Sequence, residues 1–440
     1  MRVLRHVPVL VAASLLLSCG SPDDPTVAGR AGEWTLTTDR LAELMVLAQP
    51  FPLEEEAAFD LAFQWVSVSA LAQDAAARDL LEDAAARNES MWLERREWIL
   101  EQDREARLGA DVALTPSEVR AAFDSDSLRL VAHVLRRVGP ETPAQERLLQ
   151  QRTTERILAA LIDGGGWDVA VAQSEDPATR EVAGLLGLFG PGELQPAALG
   201  RAAFRLGPGE ASAVVQSPDG FHIVYRPQFD DARGLFTQRL HQRRLLRAAA
   251  AADRILASER AVEVADGGVD LARSIVEDPP QWMGSEDVVV VWSGGDLRAS
   301  VVARYAAALP DGSREALTRA GDEEQVRFLT DLATREIRIA EFAVPAEAAT
   351  ALDSLVHQGH RAELEYWLTG LSVDGVDPPS RQGVATYMEA LVARRQEASV
   401  VSPVLEAWLL SRFDHAVHPA GIQSAVAAAR TMIQGAGSGP

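Results

Sequence analysis

The stretch Gly184–Val224 limits what this chain can fold into more than any other. Glycines stand at 184, 187, 190, 192, 200, 207, 209 and 220. Between them lie one short amphipathic run, Gln195–Leu206, and two apolar runs, Ala211–Gln216 and Phe221–Tyr225. Glycine at such intervals marks tight turns where a Cβ would clash. The pattern predicts a small curved sheet with short connecting helices and argues against a plain helical bundle. Residues 184–192 are rich in glycine but lack the spacing and helix start of a dinucleotide-binding loop.

The rest of the composition bounds the function. A chain of 440 residues predicts about two to four domains. Its net charge of −22 argues against nucleic acid as a partner, because phosphate binding wants a basic face. Every basic residue other than histidine is arginine. No H-E-x-x-H, C-x-x-C or P-loop pattern occurs, and no metal site or cofactor is expected. The pairs His357/His360 and His415/His418 sit three apart on expected helices and read as surface pairs.

The single cysteine, Cys19, excludes an intrachain disulfide. It follows a positive segment with Arg2 and Arg5 and an apolar run from Val7 to Leu17, too short to span a bilayer comfortably. Leu16-Leu17-Ser18-Cys19 resembles a bacterial lipobox. That resemblance implies a signal peptide over 1–18, lipidation at Cys19 and a periplasm-facing protein held at a membrane by acyl chains. By resemblance to enterobacterial sorting rules, Gly20 in place of Asp implies the outer membrane. Residues 19–31, with Pro22, Pro25 and Gly29, read as a flexible tether.

Residues 32–127 read as mainly helical. A short strand is expected at Glu33–Leu36, with helices following from Asp39, over Leu53–Ala72 and, unbroken, over Asp79–Leu108. Thr115-Pro116-Ser117-Glu118 carries a helix start: Thr as N-cap, Pro in the first turn, Glu three positions on. Leu128–Val138 reads as a strand and Pro143–Ile162 as an amphipathic helix stopped by Gly164–Gly166.

Several motifs in this region fall in register. Gly184–Phe189, Gly192–Leu194, Ala203–Ser212 and Gly220–Val224 match, in order, the second half of a parvulin, the PpiC-type peptidyl-prolyl cis-trans isomerase. Leu130–Leu135 resembles that family's first strand, Trp167–Gln173 its short helix and Ser174-Glu175-Asp176 its S-x-D turn. The resemblance covers residues 128–228. A T-x-x-E helix just before it resembles SurA- and PrsA-type foldases. The implied fold class is α+β: a parvulin-like module, a small antiparallel sheet with surrounding helices, flanked by mainly α-helical N- and C-terminal chaperone-like domains.

Residues 229–434 are expected to form the C-terminal helical domain, opening with an arginine-rich helix over Asp231–Glu259. Strands at Val288–Trp292 and Leu297–Val301 would flank a hairpin turn. Helices are expected over 322–343, 345–357, 361–370, 384–397, 402–416 and 419–434. Gly295–Ser300 echoes Gly32–Thr37, which reads either as a second copy of the N-terminal unit or as coincidence. Residues 435–440 read as a disordered tail.

The resemblance also implies a site. His133 in the first strand and His222 in the last become neighbours, with Asp176 beside the substrate carbonyl, as the catalytic set. Leu194 and Phe204 match apolar pocket positions and Ser217 a hydroxyl near the histidines. Paired strand histidines can equally serve only to tie the sheet together. Ala183-Gly184 stands where the family has two glycines, and the pocket phenylalanine expected near Ala198 or Leu199 is absent. The implied function is cis-trans isomerisation of X-Pro bonds in unfolded or exported protein clients by a lipid-anchored foldase. The alternatives are a holdase chaperone with a weak or inactive parvulin module, and a structural lipoprotein of the envelope.

Overall fold

The computed structural model describes residues 24–48, 50, 52–139, 142–371, 379–393 and 401–436. The 1–18 segment, Cys19 and residues 437–440 lie outside the described residues. Ten strands occur among those described: β1 (Val27–Ala31), β2 (Trp34–Thr37), β3 (Arg129–Arg137), β4 (Leu185–Phe189), β5 (Val215–Ser217), β6 (Gly220–Tyr225), β7 (Glu263–Val264), β8 (Val288–Trp292), β9 (Gly295–Arg298) and β10 (His415–Val417). They form three antiparallel sheets, ordered β10-β1-β2, β4-β3-β6-β5 and β7-β8-β9. The elements between them are helices, so the fold is α+β. No helix among the described residues is long and apolar enough to cross a membrane.

Two compact units are present: residues 104–252, and a discontinuous unit made from the flanking segments through Asp103 and from Asp253 onward. In the discontinuous unit the hairpin β1–β2 runs into the helix Thr38–Leu47, whose N-cap Thr37 accepts from the Arg40 N–H. The hairpin β8–β9 runs in the same way into the helix Ala299–Ala308. Each hairpin takes a third strand that precedes a helix: β10 before Pro419–Ala436, and β7 before Gly268–Glu277. The echo between Gly32–Thr37 and Gly295–Ser300 therefore coincides with a repeated hairpin–helix element.

Several sequence expectations change here. Residues 19–31 do not end as a tether: Val27–Ala31 is β1, with Ala28 and Ala31 fully buried. It pairs with β10 through Gly29 and Val417. The segments read as separate N- and C-terminal domains, 32–127 and 229–434, contribute instead to one shared core, in which Leu36, Leu41 and Trp65 join Trp367, Tyr387 and Ile422. The expected helix over 79–108 breaks at Met91 into Ala84–Ser90 and Trp92–Leu108, the first capped by the Asp83 carboxylate accepting from the Ala86 N–H at 2.7 Å. The strand expected at 297–301 ends at Arg298, and 345–357 with 361–370 is one helix, Ala346–Leu371. The helix expected over 402–416 stops at Ser411, because His415–Val417 is needed as β10. His415 and His418 therefore do not share a helix. The final helix runs on to Ala436, into the expected tail.

The 104–252 unit wraps β4-β3-β6-β5 on both sides. Val134 and Ile223 on one face pack against Ile157, Ala170 and Val171 from the helices Ala144–Ile162 and Trp167–Val171. Val131 and Val224 on the other face pack against Leu194, Leu199, Ala203 and Leu206. Leu130 meets Val119, Phe123 and Phe236. The helix Pro116–Asp124 carries the expected capping box between Thr115 and Glu118. The unit is wider than the 128–228 module read from sequence, since Val119, Phe123, Phe236 and Leu240 complete its core. The strand expected at Ala211–Gln216 starts only at Val215, with a lone bridge from Ala211 to Tyr225.

Candidate functional site

The two histidines meet through strand register. β3 and β6 pair antiparallel with His133 opposite Val224 and Leu135 opposite His222. Side chains two residues apart on a strand share a face, so His133 and His222 are diagonal neighbours, within reach across the ladder. Their Nδ1 atoms lie 3.2 Å apart. Both rings are buried, at 3% and 2% exposure. On the same face stand Val131 and Val224, so the pair adjoins the apolar cluster of Leu194, Leu199, Ala203 and Leu206, lined further by Phe189 and Phe204.

The turn that carries Asp176 is fastened to β3 beyond the end of its pairing with β4. The Leu135 N–H donates to Ser174 Oγ at 3.1 Å, the Glu175 N–H to the Leu135 carbonyl at 2.8 Å and the Arg137 N–H to Glu175 Oε2 at 2.7 Å. A buried strand N–H needs an acceptor, which is what the serine of the S-x-D turn provides. One step earlier the His133 N–H donates to the Gly184 carbonyl at 2.7 Å. Gly184 has φ +77°, and a Cβ there would stand 2.6 Å from the His133 carbonyl oxygen. Gly220, at φ +140°, lies so close to β3 that a Cβ would come within 2.1 Å of the Arg136 carbonyl oxygen. These two glycines let the backbone close around the histidine pair. Ala183, standing where the family has a further glycine, adopts φ 55°, a left-handed conformation that costs an L-residue about 1–2 kcal/mol.

The polar groups form a chain with one direction. Asp176 Oδ2 lies 3.1 Å from His133 Nε2 and accepts from the Thr179 hydroxyl at 2.9 Å. His222 Nε2 lies 2.7 Å from Ser217 Oγ, which itself accepts from the Asp219 N–H. Desolvation lowers the pKa of His133, against the pull of Asp176. Desolvation and the neighbouring His133 bring that of His222 down to about 4. Burial on its own would raise Asp176, but hydrogen bonds from Thr179 and His133, and electrostatic attraction to His133 and Arg137, hold its carboxyl below the usual range. Near neutral pH the site is then two neutral imidazoles and one carboxylate. A carboxylate only accepts and a neutral imidazole has one donor and one acceptor. The hydrogen bonds therefore assign the tautomers: Ser217 O–H donates to His222 Nε2, His222 Nδ1–H to His133 Nδ1, and His133 Nε2–H to Asp176.

Of the residues proposed from sequence, Cys19 lies outside the described residues and the other six come together. His133, Asp176, His222 and Ser217 form one hydrogen-bonded chain, while Leu194 and Phe204 belong to the adjacent apolar cluster. Phe204 also lies under the Arg129 guanidinium, 5.3 Å from the ring centroid. Thr179 was not read from sequence; a hydroxyl at the third helical position after an Asp-Pro start is the signal that points to it. Leu199, 2% exposed, occupies the part of the cluster where a phenylalanine was expected.

Residues 133–228 match the family described as Rotamase, PPIC-type PPIASE domain. The chain contains a parvulin-type peptidyl-prolyl isomerase domain. Over 145 residues it is 28% identical to Chaperone SurA of Chromohalobacter salexigens, covering 32% of this chain and 32% of that protein. The chain therefore spans about a third of the length of the curated relative it matches. Among solved structures, PrsA from Bacillus subtilis matches 52% of this chain and 89% of its own at 19% identity and a TM-score of 0.24. A PpiC-type peptidyl-prolyl cis-trans isomerase domain matches 23% and 91% at 22% identity and a TM-score of 0.21.

Proposed function

We propose that this protein catalyses cis-trans isomerisation of X-Pro bonds in unfolded polypeptide clients, with His133, His222 and Asp176 as its polar catalytic set. The observation that carries the reading is the tautomer-defined chain from Ser217 to Asp176 beside an apolar cluster on one sheet face. The imide bond resists rotation because of its partial double-bond character, a barrier of about 18–20 kcal/mol. The two isomers of an X-Pro bond are close in energy, so only that barrier needs lowering. Seating the proline ring against Leu194 and Phe204 would strip water from the imide and favour the twisted, less conjugated state. The polar chain would hydrogen-bond the carbonyl differently in that state, and only such differential binding accelerates the step. No nucleophile is required.

Leu199 at the place of the expected phenylalanine supports a weaker grip on proline and keeps a holdase reading open, in which the domain binds clients with little turnover. Lipidation at Cys19 and a periplasm-facing, outer-membrane position rest on the lipobox-like sequence. A proline-isomerisation assay with a short X-Pro peptide, run beside suppression of client aggregation, tests the two readings. Turnover above buffer is the expected result. Suppressed aggregation with no turnover would replace the isomerase by the holdase. Radiolabelled palmitate should mark the wild type and not Cys19→Ser; equal labelling of both would remove the anchor.

A further inference from the structure

Beyond the histidine pair, the same sheet face carries two buried arginines. Arg129, Val131 and His133 alternate onto that face along β3, and His222, Val224 and Arg226 along β6 and just past its end. Arg129 is 4% exposed and Arg226 6%. Arg226 Nη1 donates to the Leu206 carbonyl at 3.0 Å and Nη2 to the Phe123 carbonyl at 2.7 Å. Its guanidinium carbon lies 5.0 Å from the Phe123 ring centroid. The backbone of Arg226 holds the loop after Leu206 as well: the Gly209 N–H donates to the Arg226 carbonyl, and the Arg226 N–H to the Glu210 carbonyl.

Both side-chain acceptors lack a helical partner. Phe123 stands in the last turn of the helix Pro116–Asp124, whose final carbonyls have no intrahelical donor. Ser125 Oγ donates to the Ala122 carbonyl, Arg226 to that of Phe123 and Arg129 to that of Ser125. Leu206 lies just past the helix Ala197–Ala203, and its side chain belongs to the apolar cluster lined by Phe204. A buried cation is costly when it is not paired. Among the described residues no salt bridge engages Arg226, and burial, followed by the neighbouring Arg129, pushes its pKa below the ordinary guanidinium value. An apolar side chain would fill this space at less cost, but it could not join the two carbonyls.

We propose that Arg226 is a positioning residue of the apolar pocket: by tying the Leu206 carbonyl to the Phe123 carbonyl, it fixes the segment on which Phe204 stands. Arg129 holds the Phe204 ring itself, 5.3 Å from its centroid. The helix Pro116–Asp124 thereby becomes part of the working pocket although it precedes the sheet. Only what the pocket receives, a proline ring, rests on the isomerase reading; the clamp comes from the hydrogen bonds.

The test uses the full chain, with Arg226→Met, which keeps an apolar stem and removes both donors, and Arg226→Lys. Lysine keeps the charge and reaches at most one carbonyl, since it lacks the guanidinium fork, so it carries the test if Arg226→Met does not fold. For a short X-Pro peptide Arg226→Met should raise KM about tenfold, the lower end of what a hydrogen bond to a charged group supplies, and Arg226→Lys should raise it less. The histidines and Asp176 are untouched, so kcat per folded molecule should stay near the wild-type level. With 4-fluorophenylalanine at position 204, the fluorine resonance should shift or broaden in both variants. A lowered folded fraction with KM unchanged, or a fluorine resonance unchanged in both variants, overturns the proposal. A changed resonance in a protein that turns over no X-Pro peptide upholds the clamp and removes the isomerase reading alone.

Discussion

Two buried histidine sites in this molecule look alike at first and differ in what their hydrogen bonds lead to. His360, in the discontinuous unit, is not the surface residue its sequence reading implied but fully buried, with Nδ1 2.8 Å from the Ser90 hydroxyl and Nε2 donating to the Leu80 carbonyl at 3.0 Å. Both partners are neutral, and Ser90 is itself buried. The His133–His222 pair is equally desolvated, but its chain ends on a charged Asp176 whose side chain is 16% exposed, and on Ser217, which is partly exposed. A closed pair holds helices together; a chain with accessible ends can pass a change at a bound carbonyl into the protein. Depressed histidine pKa is common to both sites. Burial alone therefore does not separate packing from chemistry, whereas the terminal partners do.

The comparison breaks most visibly in stability. His360→Ala would strip the Leu80 carbonyl of its His360 donor, leave the Ser90 hydroxyl with only the Arg87 carbonyl and open a cavity, a loss of about 2–4 kcal/mol. Urea unfolding should register that loss while turnover per folded molecule stays unchanged. A parallel fall in turnover would mean that His360 belongs to the working site.

A smaller effect follows from pH. Below about 6.5 the unfolded chain binds protons that the buried neutral rings refuse. Folding stability should therefore fall as pH drops from there towards the value of about 4 at His222, with sign set by the extra protons on the unfolded state. Asp176, held low, keeps its contribution across this window and loses it only as pH falls through its own folded value. His222→Gln should flatten the slope measured by urea unfolding at several pH values; an unchanged slope would place the linkage elsewhere.

The smallest effect concerns Thr179. Thr179→Val removes one donor to Asp176 and should lower turnover by only a few-fold, because His133 and Arg137 still hold the carboxylate. The Asp176 carboxyl should titrate higher by carbon-detected NMR, and Thr179→Ser should restore both. A rate loss with no change in the Asp176 titration would reduce Thr179 to a packing residue.

The site was legible because its parts are local and chemically distinctive: glycines where backbones touch, a serine–aspartate turn, and histidines in two apolar strands. Thr179 carried a local signal in its bond to Asp176 three residues back, but its tie to the histidines exists only once Asp176 is folded against His133. What was misread elsewhere depends on distant partners. His415–Val417 is a three-residue strand whose reason is β1, far away in the sequence, and the same pairing turns Val27–Ala31 from tether into strand. The break at Met91 carries no glycine or proline; Met91 packs against Gly359 there, while the Asp83 cap sets the start of the helix that precedes it.

The central claim is that the chain ending on Asp176 does chemistry that the closed His360 pair does not. Exchange NMR on a short X-Pro peptide with the full-length protein measures it directly. Asp176→Ala should cut the catalysed rate by about tenfold or more, the range typical of removing one preorganised polar group, while His360→Gln leaves turnover per folded molecule at the wild-type level. A robust rate unchanged by Asp176→Ala would contradict the account.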